Sequence, residues 1–238
     1  MNLDSLLALV KKELRLYFNS PIAYIFLIGF LTISMWFFFR GFFLINQAEI
    51  RGFFGILPWI FLFLIPALTM RVWAEEYRQG TVEILLTSSI SLRTAVLGKF
   101  VASLIFLTLA LTLTLTLPLS IALIGSLDWG TALVSYVGAL LLGTAYLALG
   151  LFISSITANQ IVAFIVSILI TFIFFIIGNS IVTFALPNVM VKLFESISLG
   201  NHYVSMLRGV IDTRDVIYYL SFILLFLYLN YRILDARK

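Results

Sequence analysis

The stretch PALTMRVWAEEYRQGTVEILLTSSISLRTAVLGKF, Pro66 to Phe100, decides how the rest of the chain is read. It holds Arg71, Glu75, Glu76, Arg78, Glu83, Arg93 and Lys99, seven of the 26 charged residues. Uncharged runs long enough to cross a membrane lie on both sides, so this segment must sit in water. Gly80 divides it. Upstream, Met70 to Gln79 reads as the end of a membrane helix that continues into solvent. Downstream, Thr81 is suited to cap a new helix, with Glu83 in the first turn where the helix dipole favours negative charge. Val82, Leu85 and Leu86 fall at i, i+3 and i+4 and form a short apolar face. Ser91 is placed to cap the next span. The pattern is a short amphipathic helix held between two spans, shaped to dock into another surface.

Composition sets the class. The 238 residues are 62% hydrophobic and 11% charged, with mean hydropathy +1.13. A soluble domain carries about 25% charged residues, so the chain reads as an all-α polytopic membrane protein. It has no cysteine, which excludes disulfides, thiolate catalysis and Cys-ligated metals. Lys11, Lys12, Glu13 and Arg15 interrupt the place where a cleavable signal would have its apolar region.

Taken in order, residues 3–18 suggest a helix lying on the membrane, with Leu3, Leu6, Leu7, Val10 and Leu14 at helical spacing. Lys11, Lys12 and Arg15 form a basic side suited to anionic lipid headgroups. The first span, Pro21 to about Ile45, opens with 18 uncharged residues from Ile22 to Phe39, and Arg40 would snorkel or pair with Glu49. The second, Phe53 to about Trp73, contains Pro58 and Pro66. The third starts near Lys99 and has 28 uncharged residues from Phe100 to Leu127. Its TLALTLTLTLPL alternates like a strand, but an isolated strand leaves its backbone unpaired in lipid, so a helix is expected. Thr108, Thr112 and Thr116 then share a face that packs on another helix or bonds back to its own carbonyls. Trp129 to Val191 is uncharged over 63 residues, enough for two spans divided at SSITANQ (154–160). Ala139/Gly143 and Gly150/Ser154 are small-residue pairs that permit close helix contact. The sixth span runs from Val216 to Tyr231.

Residues 184–214, too polar to span, have apolar spacing at Val189, Leu193 and Ile197 and a break at Gly200, predicting two short helices with a glycine turn. Six spans put both termini on one side. If that side also holds the 70–99 loop, it carries ten of the 15 basic residues against five at Arg40, Arg51, Lys192, Arg208 and Arg214. That asymmetry places the termini in the cytoplasm. The net charge of +4 then describes orientation and gives no reason to expect a nucleic-acid partner.

No phosphate-cradling G-x-x-x-x-G-K-[ST] loop and no H-E-x-x-H occurs. The one histidine, His202, could be read as the base of a Ser–His intramembrane protease with Ser198 or Ser205, but no G-x-S-x-G turn accompanies it. The other readings are an outer gate of His202, Arg208 and Asp212, or local hydrogen bonding alone.

AEEYRQGTVEILLTSSISLRTAVLGKF resembles the first cytoplasmic loop of type-2 ABC transporter permeases, and most resembles the gliding-motility-type branch, related to the nitrous-oxide-reductase maturation permease. KKELRLYFNSPIAY, SSITANQIVAF and HYVSMLRGVIDTRDVIYYLSF fit as well, so the likeness covers nearly the whole chain. Two departures stand out: Ser89 replaces a common Pro, and SSITANQ lacks a charge that relatives often carry. The resemblance implies one permease domain over 1–238. Its six transmembrane helices would be joined by an N-terminal interfacial helix (3–18), a cytoplasmic coupling loop (74–93) and short re-entrant outer helices (184–214). It implies ATPase coupling through Glu75, Glu76, Arg78, Gly80, Thr81, Glu83, Leu85 and Leu86, and an outer gate at His202, Arg208 and Asp212. It further implies two copies of a separate ABC ATPase subunit carrying ATP and Mg, a second permease copy or related permease, and surrounding lipids. The chain itself would carry no cofactor and no enzymatic site, and would export its substrate across a prokaryotic inner membrane. A secondary carrier would instead need ionisable residues at mid-membrane and internal repeats, and neither is evident.

Single cysteines introduced into this cysteine-free background should report the topology. Replacements at Ser89 and Asn159 should react with an impermeant thiol reagent only from the cytoplasm, and those at Gln47, Asp128 and Asn188 only from outside. Outside labelling at position 159 would reject two spans within residues 129–191.

Overall fold

The computed structural model describes residues 3–45, 50–82, 91–124, 127–184 and 186–237, and their regular structure is helical throughout. Helix α1 (Leu3–Phe18) turns Leu9, Val10 and Glu13 inward and leaves Lys11 and Lys12 exposed. Helix α2 (Pro21–Ile45) begins on a proline, whose missing N–H costs nothing at a helix start. Helix α3 (Arg51–Arg78) has 28 residues, about 42 Å at 1.5 Å per residue, which exceeds the roughly 30 Å hydrocarbon core. Its last turns therefore project beyond the apolar layer. Gly80 stops it with φ +70°, the left-handed conformation that glycine adopts without a Cβ penalty.

Ser91 caps α4 (Leu92–Leu113) by accepting the Thr94 N–H at 3.2 Å, as its position after the charged loop suggests. The TLALTLTLTLPL run is helical with one break. Pro118 offers no N–H to the Thr114 carbonyl and its ring crowds it, so the chain turns at Thr114–Leu115 before α5 (Thr116–Ile124). Thr108 and Thr112 donate back to the Leu104 and Leu109 carbonyls of α4, and Thr116 donates across the break to the Leu113 carbonyl. Asp128 caps α6 (Trp129–Ser154), accepting from the Gly130 and Thr131 N–H groups. Bonds from the Thr131 hydroxyl and then these amides hold the Asp128 carboxyl below its ordinary range. Asn159 caps α7 (Gln160–Ile176) in the same way. Four shorter or final elements follow: α8 (Ser180–Thr183), α9 (Asn188–Ile197), α10 (Leu199–Leu207) and α11 (Thr213–Asp235).

Among the described residues, five stretches are long and apolar enough to cross a membrane: α2, α3, α4 with α5, α6 and α11. Helix α7, at 17 residues, is shorter. It nevertheless runs along α3 from Glu75 back to Trp59. Gln160 at its start bonds Glu75 near the end of α3, and Phe172 and Phe175 at its end pack on Trp59 near the start of α3. Helix α6 is the most enclosed and contacts α3, α4, α7, α10 and α11. Its small residues permit this. A Cβ on Gly143 would lie 2.7 Å from Leu107 Cδ2, and one on Gly150 only 2.2 Å from Thr69 Oγ1. Ala139 is likewise fully buried. The outward faces of α2, α7 and α11 present Ile25, Ile28, Trp36, Ile165, Leu169 and Leu224, the surface lipid would cover.

The outer segment differs from expectation at one point. Its two helices meet at Ser198, not at Gly200, because Ser198 both ends α9 and caps α10. Gly200 lies inside α10, where a Cβ would come within 2.5 Å of the Phe175 carbonyl oxygen. Glycine is required there by the close approach of α7. The expected apolar positions of α9 face outward, with Val189 82% exposed.

Gly150→Ala should lower stability by about 1–3 kcal/mol through overpacking against Thr69. Gly29→Ala, with nothing within 4 Å, should be neutral or slightly stabilising. Denaturation midpoints in one detergent compare the two; equal midpoints would mean the α3–α6 contact yields freely.

Candidate functional site

Glu75, Glu76, Arg78 and Lys99 of the opening stretch lie where α3 leaves the apolar layer. Lys99 lies eight residues beyond the Ser91 cap, two turns into α4, and its side chain is only 3% exposed. A buried ammonium needs partners, because its desolvation costs several kcal/mol. Glu76 Oε1 lies at 2.6 Å and Glu13 Oε1 at 3.1 Å, while the Trp73 ring centroid is 5.0 Å away. One side chain of α4 thus holds α1 and α3 together. Lys12 adds a weaker contact to Glu13 at 3.9 Å. A second bond supports the α1–α4 contact. Ser103 donates to the Lys99 carbonyl at 2.9 Å, so the Tyr17 phenol must donate to Ser103, also at 2.9 Å. Burial pushes that phenol up to about 12 and keeps it a donor, outweighing the Ser103 bond that opposes the shift.

The neighbouring turns of α3 hold the remaining elements. Glu75 accepts from Arg78 at 2.9 Å, from Gln79 at 2.6 Å, and from Gln160 of α7. The Ser154 hydroxyl of α6 accepts the Trp73 and Ala74 N–H groups at 3.1 and 3.2 Å and donates to the Met70 carbonyl at 3.0 Å. Arg237, beyond α11, donates to the Ile156 carbonyl at 2.7 Å and lies 4.8 Å from the Tyr77 ring centroid. Met70 to Arg78 is therefore the place where α1, α4, α6, α7 and the end of α11 all meet α3.

This arrangement changes the reading of several expected coupling residues. Glu76 does not wait at a docking rim, since its Oε1 is bonded to buried Lys99. Glu75 is also engaged within the chain. Arg78 remains exposed while pairing with Glu75. Gly80 forms the left-handed stop, and Thr81 donates to the Glu76 carbonyl at 3.3 Å. Glu83, Leu85 and Leu86 lie outside the described residues. The bonds of Glu13, Gln160 and Arg237 were not foreseen in the sequence, Ser154 is expected there only as a small residue permitting close helix contact, and Lys99 only as the charged start of the third span. Its depth past a recognisable cap was the available signal, because an unpaired ammonium two turns into a span is costly.

At the other end of the bundle, His202 Nδ1 lies 2.6 Å from Asp215 Oδ1, and Nε2 lies 3.2 Å from the Ser196 carbonyl oxygen. A carbonyl only accepts, so Nε2 carries a proton. The ring stacks on Tyr218 with centroids 3.9 Å apart, and Ser205 donates to the other Asp215 oxygen. His202 is thus joined to Asp215 and Ser205, whereas Asp212 caps α11 and Arg208 is exposed at the end of α10. Ser205 bonds Asp215 and Ser198 donates to the Phe175 carbonyl at 3.2 Å, so among the described residues neither candidate serine is paired with the imidazole as a Ser–His nucleophile would be. Tyr203 anchors the segment by donating to the Phe54 carbonyl at 2.9 Å.

The ABC-2 family transporter protein model matches residues 8–237. The chain belongs to the ABC-2 transporter family. No curated protein matches it. Membership and the apolar helices together make it a multi-pass membrane permease subunit of an ABC transporter. The matched range takes in both ends of the helical bundle and all the contacts around Met70–Arg78.

Lys99→Met should cost about 3–5 kcal/mol, because two buried carboxylates lose their counter-ion. The triple variant Lys99→Met, Glu13→Gln, Glu76→Gln should recover much of that loss. Thermal unfolding in lipid nanodiscs gives the comparison, and a triple variant less stable than the single one would contradict the pairing.

Proposed function

We propose that this ABC-2 permease is the membrane half of an exporter, moved by a separate ABC ATPase that docks on residues 81–87. The observation that carries this reading is the convergence on Met70–Arg78. A segment attached there is mechanically joined to α1, α4, α6, α7 and α11 at once. The amphipathic pattern Val82, Leu85, Leu86 supplies an apolar face for a groove on the ATPase, with Arg78 and Glu83 at its rim. ATP and Mg belong to the partner, in two copies, alongside a second permease copy or a related one. The branch most resembled is the gliding-motility type, in a prokaryotic inner membrane.

Six crossings suit the reading better than five. The contacts of Glu13 and Arg237 lie at the same end of the bundle, which requires an even number of passes, and α7 supplies the sixth. Its 17 residues span about 25 Å, close to the core thickness. The ten-to-five basic asymmetry then sets that end in the cytoplasm. Segment 184–214 closes the far end of the route, with His202 held by Asp215 and with Arg208 and Asp212 beside it. A carrier working without an ATPase would need its buried ion cluster at mid-depth, whereas Lys99, Glu13 and Glu76 lie at one end of the bundle.

Burying a leucine contributes about 1.5–3 kcal/mol and a rim ion pair about 0–1 kcal/mol. Leu85→Asp should therefore strip the ATPase from the purified complex, while Arg78→Ala leaves it bound. If the Leu85→Asp complex purifies and hydrolyses ATP as the parent does, residues 81–87 do not couple the subunits.

A further inference from the structure

Ser154 makes more backbone contacts to a neighbouring helix than Ser135 of the same helix, which donates only to the Met206 carbonyl of α10 at 3.3 Å. Ser103, Thr108 and Thr144 each donate to the carbonyl four residues back in their own helix, the usual use of a hydroxyl in an apolar bundle. Ser154 leaves its own helix entirely. It engages three backbone groups of α3: the Met70 carbonyl, the Trp73 N–H and the Ala74 N–H. The Met70 carbonyl and the Ala74 N–H are the two partners of one i, i+4 step of α3, so the hydroxyl contacts both sides of that step. Ser154 is fully buried, as are Trp73 and Ala74, and water has no access to substitute for it. Gly150, one turn earlier, brings α6 close enough for this contact. Pro66, four residues before Met70, has already removed one ladder bond from the same part of α3.

We infer that Ser154 is a positioning residue for transport: its hydroxyl couples the inner arm of α3 to the α6–α7 hairpin so that the two shift together. The inference rests on the proposal that the ATPase pushes on residues 81–87, immediately beyond that arm. A helix step whose donor and acceptor both contact a neighbouring hydroxyl bends at little cost, because the hydroxyl keeps both groups satisfied when the ladder bond lengthens. The same contact transmits the bend. Gln160, bonded to Glu75, gives the hairpin a second attachment one turn further along α3.

The test is hydrogen exchange on the permease–ATPase complex in nanodiscs, nucleotide-free and after ADP–vanadate trapping. Ser154→Ala is compared with Ser155→Ala, whose hydroxyl bonds only the Phe152 carbonyl of its own helix. In Ser154→Ala, amides of residues 70–76 should exchange about tenfold faster, the loss expected for a buried backbone hydrogen bond. Residues 199–219 should stay unchanged, which separates this effect from general loosening. Trapping should alter exchange in 70–76 and 154–160 together in the parent and in Ser155→Ala, but only in 70–76 in Ser154→Ala. The inference is overturned if Ser154→Ala keeps both segments responding together, or if the parent shows no linked response. Failure of the coupling proposal is distinct, since it appears as an ATPase that remains bound to Leu85→Asp.

Discussion

The ammonium of Lys99, buried between Glu13 and Glu76 and beside Trp73, is the constraint around which one end of the helical bundle is arranged. In an apolar bundle most helix contacts are dispersion contacts, individually small and tolerant of sliding. A buried ion cluster is different, because displacing any member leaves an uncompensated charge where water is excluded. It therefore fixes the relative depth and rotation of α1, α3 and α4. The Ser154 contact and the Glu75–Gln160 bond do the same for α6 and α7 with neutral or half-exposed groups. Arg237 brings the end of α11 to the same place.

The opposite end of the bundle is built with another chemistry. Tyrosine hydroxyls bond main-chain carbonyls there: Tyr203 to Phe54, Tyr219 to Leu199 and Tyr218 to Ile197. Each phenol satisfies a carbonyl near a helix end while its ring fills apolar volume, so α9 and α10 are supported without burying a lysine. His202 and Asp215 add one charge-assisted contact between α10 and α11. Two ends joined in these different ways suit a subunit driven from one side and opened at the other.

Much of this was legible in the sequence because it followed from local rules. Gly80 as a helix stop, Ser91 as a cap, the two helices divided at 154–160 and the close-packing glycines each depend on neighbours within a few positions. What escaped depends on distant ones. Glu76 looked like a docking residue because nothing nearby in the chain revealed that Lys99, 23 residues on, turns inward to meet it. His202 was grouped with Arg208 and Asp212 by proximity along the chain, whereas the start of α11 brings it Asp215 instead. Gly200 looked like a turn, and only the approach of Phe175 from α7 shows why glycine stands inside a helix there.

The central claim is that residues 70–81 and the elements joined to them move as one body when the ATPase changes state. Spin labels at Lys12, Thr81 and Ala158 sit on α1, on the segment leaving α3 and on the α6–α7 turn, and pulsed dipolar spectroscopy reads their separations. The account predicts that all three distances within one permease chain stay the same between nucleotide-free and vanadate-trapped complex, while the Thr81–Thr81 distance between two permease chains changes. A nucleotide-dependent change in the Thr81–Ala158 distance would contradict it.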